Sequence, residues 1–131
     1  MATGGFWGWL FGRKGVYDYQ IIKNDIGVDD LNDLDEAIRL YKRINVIDPQ
    51  HEEGYYNLGL LYMDMKDFNE AWNSFDLAIK NSPTFLNAYY YRAVASEQKG
   101  DKEAAISDYK QILNFDPDFE AAKEALGKLQ M

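Results

Sequence analysis

The sequence predicts an all-α fold, a right-handed α-solenoid of helical hairpins with a C-terminal capping helix. One observation is an internal repeat, since the three prolines, Pro49, Pro83 and Pro117, are evenly spaced along the chain. Their interval of about 34 residues is typical of stacked repeat architectures. A second observation is that apolar residues recur every three or four positions within a repeat, as they do from Tyr55 to Tyr62. This spacing indicates helices with one packed face, so each unit is predicted to run helix, turn, helix and stop.

The repeat divides the chain into consecutive units. Further positions keep the same interval: Asp33, Asp67 and Asp101; Ala37, Ala71 and Ala105; Ile38, Trp72 and Ile106; Tyr41, Phe75 and Tyr109; Ile44, Ala78 and Ile112. We predict a flexible leader rich in glycine and aromatic residues over 1–17, units over 18–51, 52–85 and 86–119, and a capping helix over 120–131.

Local signals place the ends of the helices. Asp67 followed by Glu70 is a capping-box pattern, whereas Asp101 has Ala104 at the matching place and is expected to provide the cap alone. Each proline is expected to end a second helix, because proline disfavours helix in the residue before it. The first unit has a clear second helix over 34–47 and a degenerate first helix.

A helical hairpin of about 34 residues with this pattern resembles the tetratricopeptide repeat, or TPR. The unit at 52–85 carries most of the family's signature residues: Tyr55, Leu58, Gly59, Tyr62, Ala71, Phe75, Ala78 and Pro83. The unit at 86–119 keeps a second set: Tyr89, Ala93, Gly100, Ala105, Tyr109 and Pro117. It departs from the pattern at Arg92, where leucine is typical, and at Ser96, where an aromatic residue is typical.

The resemblance implies a concave groove, lined by the first helices of successive units, that binds a peptide or protein segment. The predicted groove residues are Glu53, Tyr56, Asn57, Leu60, Asp64, Asn87, Tyr90, Tyr91, Val94 and Gln98, with Met63 and Glu97 on the same helix faces. This set is rich in tyrosine and includes acids but no lysine or arginine. Leu60, Met63 and Val94 are explained equally well by packing against neighbouring helices. Asn57 and Asn87 are candidates for hydrogen bonds to an extended peptide backbone.

Chaperone-binding TPR domains use Lys, Asn and Arg side chains to clamp the C-terminal carboxylates of a partner. Asn57 fits that pattern, but Ile22, Ile26, Asn87 and Tyr91 occupy the other clamp positions. Because these residues carry no positive charge, we expect a partner segment that is apolar or basic rather than an acidic C-terminal tail.

The leader places Phe6, Trp7, Trp9, Leu10 and Phe11 among glycines. Leaving a large apolar side chain in water costs roughly 1.5 to 3 kcal/mol, so this segment is expected to make a contact. Three interpretations stay open: it docks into a partner protein, it folds back on its own array, or it lies at a membrane surface.

Composition excludes several functional classes. The chain has 131 residues and a formal net charge of −8, which disfavours nucleic acid as a partner. It has no cysteine and a single histidine, His51, which is expected to lie on the surface of an inter-repeat loop. No nucleophile and base stand in a catalytic arrangement, so we expect no enzyme activity, no metal site and no cofactor.

The sequence therefore predicts a protein–protein interaction module, an adaptor or assembly factor with the leader as a second contact. The alternative is an obligate structural subunit of a larger complex, associated with a membrane through its leader. We expect a cytoplasmic location, since no apolar stretch reaches the ~20 residues of a membrane-spanning helix. Peripheral membrane contact and self-association stay open.

Overall fold

The computed structural model describes residues 31–131, and this part of the chain is all helical apart from its turns. The helices are α1 (Leu31–Ile47), α2 (Glu52–Asp64), α3 (Phe68–Asn81), α4 (Leu86–Gln98), α5 (Lys102–Phe115) and α6 (Glu120–Leu129). Each helix packs against the next along the chain. The predicted all-α solenoid is confirmed. The predicted leader and the first helix of the unit at 18–51 lie outside the described residues.

Aspartates begin the second helix of each complete hairpin. The Asp67 carboxylate accepts a hydrogen bond from the Glu70 N–H at 3.2 Å, and the Asp101 carboxylate accepts one from the Ala104 N–H at 3.1 Å. The capping box predicted at Asp67 is only half formed, because the N–H of Asp67 donates to the carbonyl of Tyr62 at 2.9 Å. The turn therefore satisfies the group that the Glu70 side chain was expected to bind.

Helices α1, α3 and α5 each end two residues before a proline. The intervening Ser82 and Asp116 have nearly identical extended conformations, with φ of −143° and −141° and ψ of 91° and 93°. Proline disfavours the helical conformation in the residue before it, so the prediction that the prolines close these helices is confirmed.

Small residues allow the helices of a hairpin to approach closely. Ala71, Ala93 and Ala105 are completely buried. A Cβ added to Gly59 would lie 2.5 Å from Cε1 of Phe75, inside van der Waals contact. The close packing implied by the TPR resemblance at these positions is therefore present.

The two residues that depart from the family pattern make polar contacts. Arg92, in place of leucine, pairs with Asp76 and Asp108, each at 2.7 Å, and its guanidinium lies 5.3 Å from the ring centre of Trp72. Ser96, in place of an aromatic residue, accepts a hydrogen bond from the Trp72 indole N–H at 3.1 Å. Burial alone would lower the pKa of Arg92, but the hydrogen bonds and charges of the two aspartates outweigh it and raise that pKa.

Helix α6 covers the end of the array. It buries Ala122 and places Ala125, Leu126 and Leu129 partly against the core of the last hairpin. Most of its other residues are exposed, as expected for a helix that shields an apolar end from water. Among residues 31–131, no helix combines the length and hydropathy that a bilayer crossing requires.

Candidate protein-binding surface

The predicted groove residues of α4 form a partly exposed face. Asn87, Tyr90, Tyr91 and Val94 are half-buried, and Gln98 is exposed. Their spacing of three and four places them on one side of the helix. We call this set the α4 face.

The equivalent residues of α2 are placed differently from what the sequence suggested. Glu53, Tyr56, Asn57 and Leu60 are only 4%, 2%, 0% and 3% exposed, while Asp64 is exposed. The expectation of an open lining along α2 is therefore corrected at Glu53, Tyr56 and Asn57, while Leu60 follows the packing interpretation that the sequence also allowed. Any role in contacting a partner stays a prediction for both helices.

Aromatic packing is one reason for the burial along α2. The ring of Tyr56 lies 4.8 Å from that of Phe85 and 6.0 Å from those of Phe75 and Tyr91. Asn57 is enclosed beside Tyr41 of α1, to whose hydroxyl it donates a long hydrogen bond of 3.5 Å. Side chains of α3, of α4 and of the α3–α4 loop thus meet over a face that sequence periodicity alone left open.

The aromatic contacts continue from α4 to the start of α6. The ring of Tyr90 lies 5.1 Å from that of Tyr91, 5.7 Å from that of Tyr109 and 6.1 Å from that of Phe119. Phe119 was not identified as a site residue from the sequence. The available signal was its relation to Phe85, since both phenylalanines follow a proline at the same offset and stand one full repeat apart.

An acidic group lies beside this aromatic cluster. Glu97 is half-buried, and its carboxylate accepts a hydrogen bond from the Tyr109 hydroxyl at 2.5 Å. Burial, together with the hydrogen bond and charge of Glu97, raises the pKa of Tyr109 well above its ordinary value. Burial also raises the pKa of Tyr90, and the charges of Glu97 and Glu124 raise it further.

His51 has a structural role at the start of α2. Its Nδ1 accepts a hydrogen bond from the Gly54 N–H at 3.0 Å, so the imidazole caps the start of α2. Its side chain is largely buried, in contrast to the surface position expected from the sequence. Across residues 31–131 the structure contains no cluster of three or more side chains that could hold a metal ion.

Comparison with known proteins decides the family. The family model for the tetratricopeptide repeat matches residues 52–85 and 86–119. The chain belongs to the tetratricopeptide repeat family. As a TPR protein it is 33% identical to the heat shock protein STI1 of Saccharomyces cerevisiae over 98 residues, which cover 74% of this chain and 17% of that protein.

Other relatives show the same partial coverage. The FK506-binding protein-like protein of Mus musculus is 37% identical over 81 residues, 62% of this chain and 23% of that protein. The TPR chain therefore spans less than a quarter of either of these relatives.

A solved structure shows a peptide on a similar fold. The first TPR of Spaghetti (RPAP3), bound to the HSP90 peptide SRMEEVD, superimposes with a TM-score of 0.71 at 27% identity. The match covers 76% of this chain and 79% of that one. In the described part of the present TPR chain, the positions expected to correspond to a carboxylate clamp hold Asn57, Asn87 and Tyr91. None of these side chains is a cation.

Proposed function

We propose that this protein is an adaptor or assembly factor that holds an extended segment of another protein along the α4 face. Its repeats are protein–protein interaction modules, and a relative of similar fold binds a peptide. The observation that carries the proposal is the composition and exposure of the α4 face. Tyr90, Tyr91 and Val94 offer apolar surface, while Asn87 and Gln98 can both donate and accept backbone hydrogen bonds.

The partner segment is proposed to be apolar or basic. The relative bound to SRMEEVD holds an acidic peptide, but attraction to a carboxylate requires positive charge in the groove. Asn87 and Tyr91 provide none, and Ile22 and Ile26, which occupy the remaining clamp positions, lie outside the described residues. A titration with SRMEEVD tests this part directly: we expect no saturable binding, and tight binding would contradict it.

Photo-crosslinking tests the proposed surface. A photoreactive phenylalanine at Gln98 is placed on the α4 face, and the matched control is the same substitution at Gln111, an exposed glutamine of α5. We expect a specific protein adduct from the Gln98 position and none from the Gln111 position. Adducts that form only at Gln111, or equally at both positions, would contradict the proposed surface.

The aromatic leader is proposed as a second contact with the same partner. It lies outside the described residues, so the support is its sequence: Phe6, Trp7, Trp9, Leu10 and Phe11 are costly to leave in water. Fluorescence of Trp7 and Trp9 in a Trp72→Phe background tests the contact, because Trp72 is the remaining indole of the chain. We expect emission typical of water in the free protein and a blue shift when the partner is added. A blue-shifted free protein would indicate fold-back, and a shift on liposomes alone would indicate a membrane surface.

The alternative, an obligate subunit of a larger complex, is favoured by one observation. Val46 and Ile47, at the end of α1, are 80% and 81% exposed, and adjacent exposed aliphatic side chains are typical of a surface that another chain covers. The solution behaviour of the isolated protein separates the two functions. A stable monomer supports the adaptor, whereas aggregation that co-expression relieves supports the subunit.

In either function we propose that the protein binds without catalysing a reaction. No pair of nucleophile and base was identified in the sequence, and His51 is engaged in capping α2.

A further inference from the structure

The end of the α4 face next to α6 combines aromatic rings with negative charge. Tyr90 contacts Tyr91, Tyr109 and Phe119, and it remains partly open to solvent. The face of an aromatic ring attracts a cation because of its quadrupole. Tyr90 therefore offers a surface suited both to an aliphatic chain and to a positive charge.

Two carboxylates act on this ring. The Glu97 carboxylate accepts a hydrogen bond from the Tyr109 hydroxyl, and the ring of Tyr109 lies 5.7 Å from that of Tyr90. Glu124 lies on α6, which begins directly after Phe119, and the ring of Phe119 lies 6.1 Å from that of Tyr90. The charges of both carboxylates also contribute to the raised pKa of Tyr90. Glu97 belongs to α4 and Glu124 to α6. We call the place where the ring of Tyr90 on α4 meets that of Phe119 at the start of α6 the α4–α6 junction.

These carboxylates lack a cationic partner within the described part of the chain. Three other acids of the array are paired with cations: Asp76 and Asp108 with Arg92, and Glu120 with Lys123. Glu97 binds the neutral hydroxyl of Tyr109, and no Lys, Arg or His within residues 31–131 forms an ion pair with Glu97 or Glu124. A half-buried carboxylate without a cationic partner is complementary to a positively charged ligand.

We propose that the α4–α6 junction binds a lysine or arginine side chain of the partner segment. The aliphatic part of that side chain lies against Tyr90, and its charge lies between Glu97 and Glu124. Lysine and arginine suit such a site because they bury an apolar stem while their charged end stays solvated or paired. This inference rests on the proposed function, since it assigns one residue of the segment that the α4 face holds.

Selection from a random library tests the inference before the partner has been identified. The full chain is presented with phage-displayed random dodecapeptides. We expect the bound pool to be enriched in lysine or arginine at one position relative to the unselected library. The Glu97→Gln, Glu124→Gln double variant is expected to lose this enrichment. The amide introduced by Glu97→Gln keeps an oxygen that can accept the Tyr109 hydrogen bond, so the fold is preserved.

A matched control separates a local site from general attraction. The chain carries a net charge of −8, which attracts basic peptides without any specific contact. The control is the Glu70→Gln, Glu103→Gln double variant, which removes the same charge from exposed positions of α3 and α5. For the tightest selected peptide, we expect the Kd to rise about tenfold in the site variant and by less than about twofold in the control.

The outcomes of the selection test the basic-residue site and the groove function separately. Enrichment of apolar or acidic peptides without a basic residue would overturn the basic-residue site and leave the groove function standing. Equal losses of affinity in the site and control variants would also overturn the site, since attraction would then come from net charge. If no peptide is enriched at all, both the site and the proposed groove function are contradicted.

Discussion

The ring of Phe75 occupies the space where a side chain on Gly59 would lie. A Cβ built on Gly59 falls 2.5 Å from Cε1 and 2.7 Å from Cδ1 of Phe75, which is itself completely buried. At this point α2 and α3 approach through a residue without a side chain and a completely buried aromatic ring.

Gly59→Ala is expected to destabilise the protein despite the better helix propensity of alanine. Phe75 must shift, and overpacking a core costs about 1 to 3 kcal/mol. Urea unfolding measures the change. Gly127→Ala is the control, because nothing lies within 4 Å of a Cβ at that helical position. That variant is expected to gain about 0.5 to 1 kcal/mol. Equal effects of the two substitutions would contradict the close approach.

Ala71→Leu and Ala105→Leu are each expected to cost about 1 to 3 kcal/mol by overpacking. Both alanines are completely buried between paired helices. Thermal unfolding checks the prediction, with Ala121→Leu on the exposed side of α6 as the control. Wild-type stability of either buried variant would count against the register of the repeat.

The two hairpin turns differ at one equivalent position. Lys66 has a φ of 62° and Gly100, at the same place in the next repeat, has a φ of 85°. A left-handed conformation costs a non-glycine residue roughly 1 to 2 kcal/mol. Lys66→Gly is therefore expected to stabilise the protein by about 0.5 to 1 kcal/mol after the added chain entropy of glycine is counted.

The reverse change provides the comparison. Gly100→Ala is expected to destabilise by about 1 kcal/mol, since the new residue must adopt the left-handed conformation. Nothing lies within 4 Å of a Cβ at Gly100, so the loss reports backbone strain alone. Chemical unfolding that moves both variants in the same direction would contradict the assignment of these turns.

Arg92→Leu restores the residue typical of the family and is nevertheless expected to destabilise by about 3 kcal/mol. The substitution leaves the largely buried carboxylate of Asp108 without a cation, whereas Asp76 keeps its ion pair with Lys80 at 2.9 Å. Breaking such a network is costly. Adding Asp108→Asn to Arg92→Leu is expected to recover part of the loss, because one uncompensated charge is removed. Urea unfolding of the single and double variants measures the coupling. Full stability of Arg92→Leu would show that the network contributes nothing.

Stability is expected to fall in alkali because of Tyr109. Its pKa is raised in the folded protein above the ordinary value of 10.0. Well below pH 10 the folded and unfolded states are both protonated and the stabilisation is complete. Above this pH the unfolded state loses the proton first, so the free energy of unfolding decreases as pH rises. Tyr109→Phe is expected to be less stable at neutral pH and to show a shallower decrease between pH 9 and 11. Unfolding curves with the same pH slope in both proteins would contradict the assignment.

The fold was predictable because its signals are local and repeated. The spacing of Pro49, Pro83 and Pro117 fixed the ends of second helices, and Asp67 and Asp101 marked their beginnings. The half-formed capping box at Asp67 was not predictable, since it depends on the carbonyl of Tyr62 in the preceding helix.

The sequence predicted which residues share a helix face, but it did not predict which of them are exposed. Helical periodicity correctly grouped the residues of α4, but the same periodicity treated Tyr56 and Asn57 of α2 as open. Their burial depends on contacts between units, such as that of Tyr56 with Phe85 and Tyr91. The charges of Glu97 on α4 and Glu124 on α6 both raise the pKa of Tyr90, and this relation between different units is not encoded within a single repeat.

The most direct test of the central claim is a backbone NMR titration with the partner segment recovered by crosslinking at Gln98. Binding is predicted to shift the amide signals of Asn87, Tyr91, Val94 and Gln98, while those of the exposed α5 residues Lys110 and Gln111 stay in place. Shifts concentrated on α5, with the α4 signals unchanged, would contradict the claim that this face holds another protein.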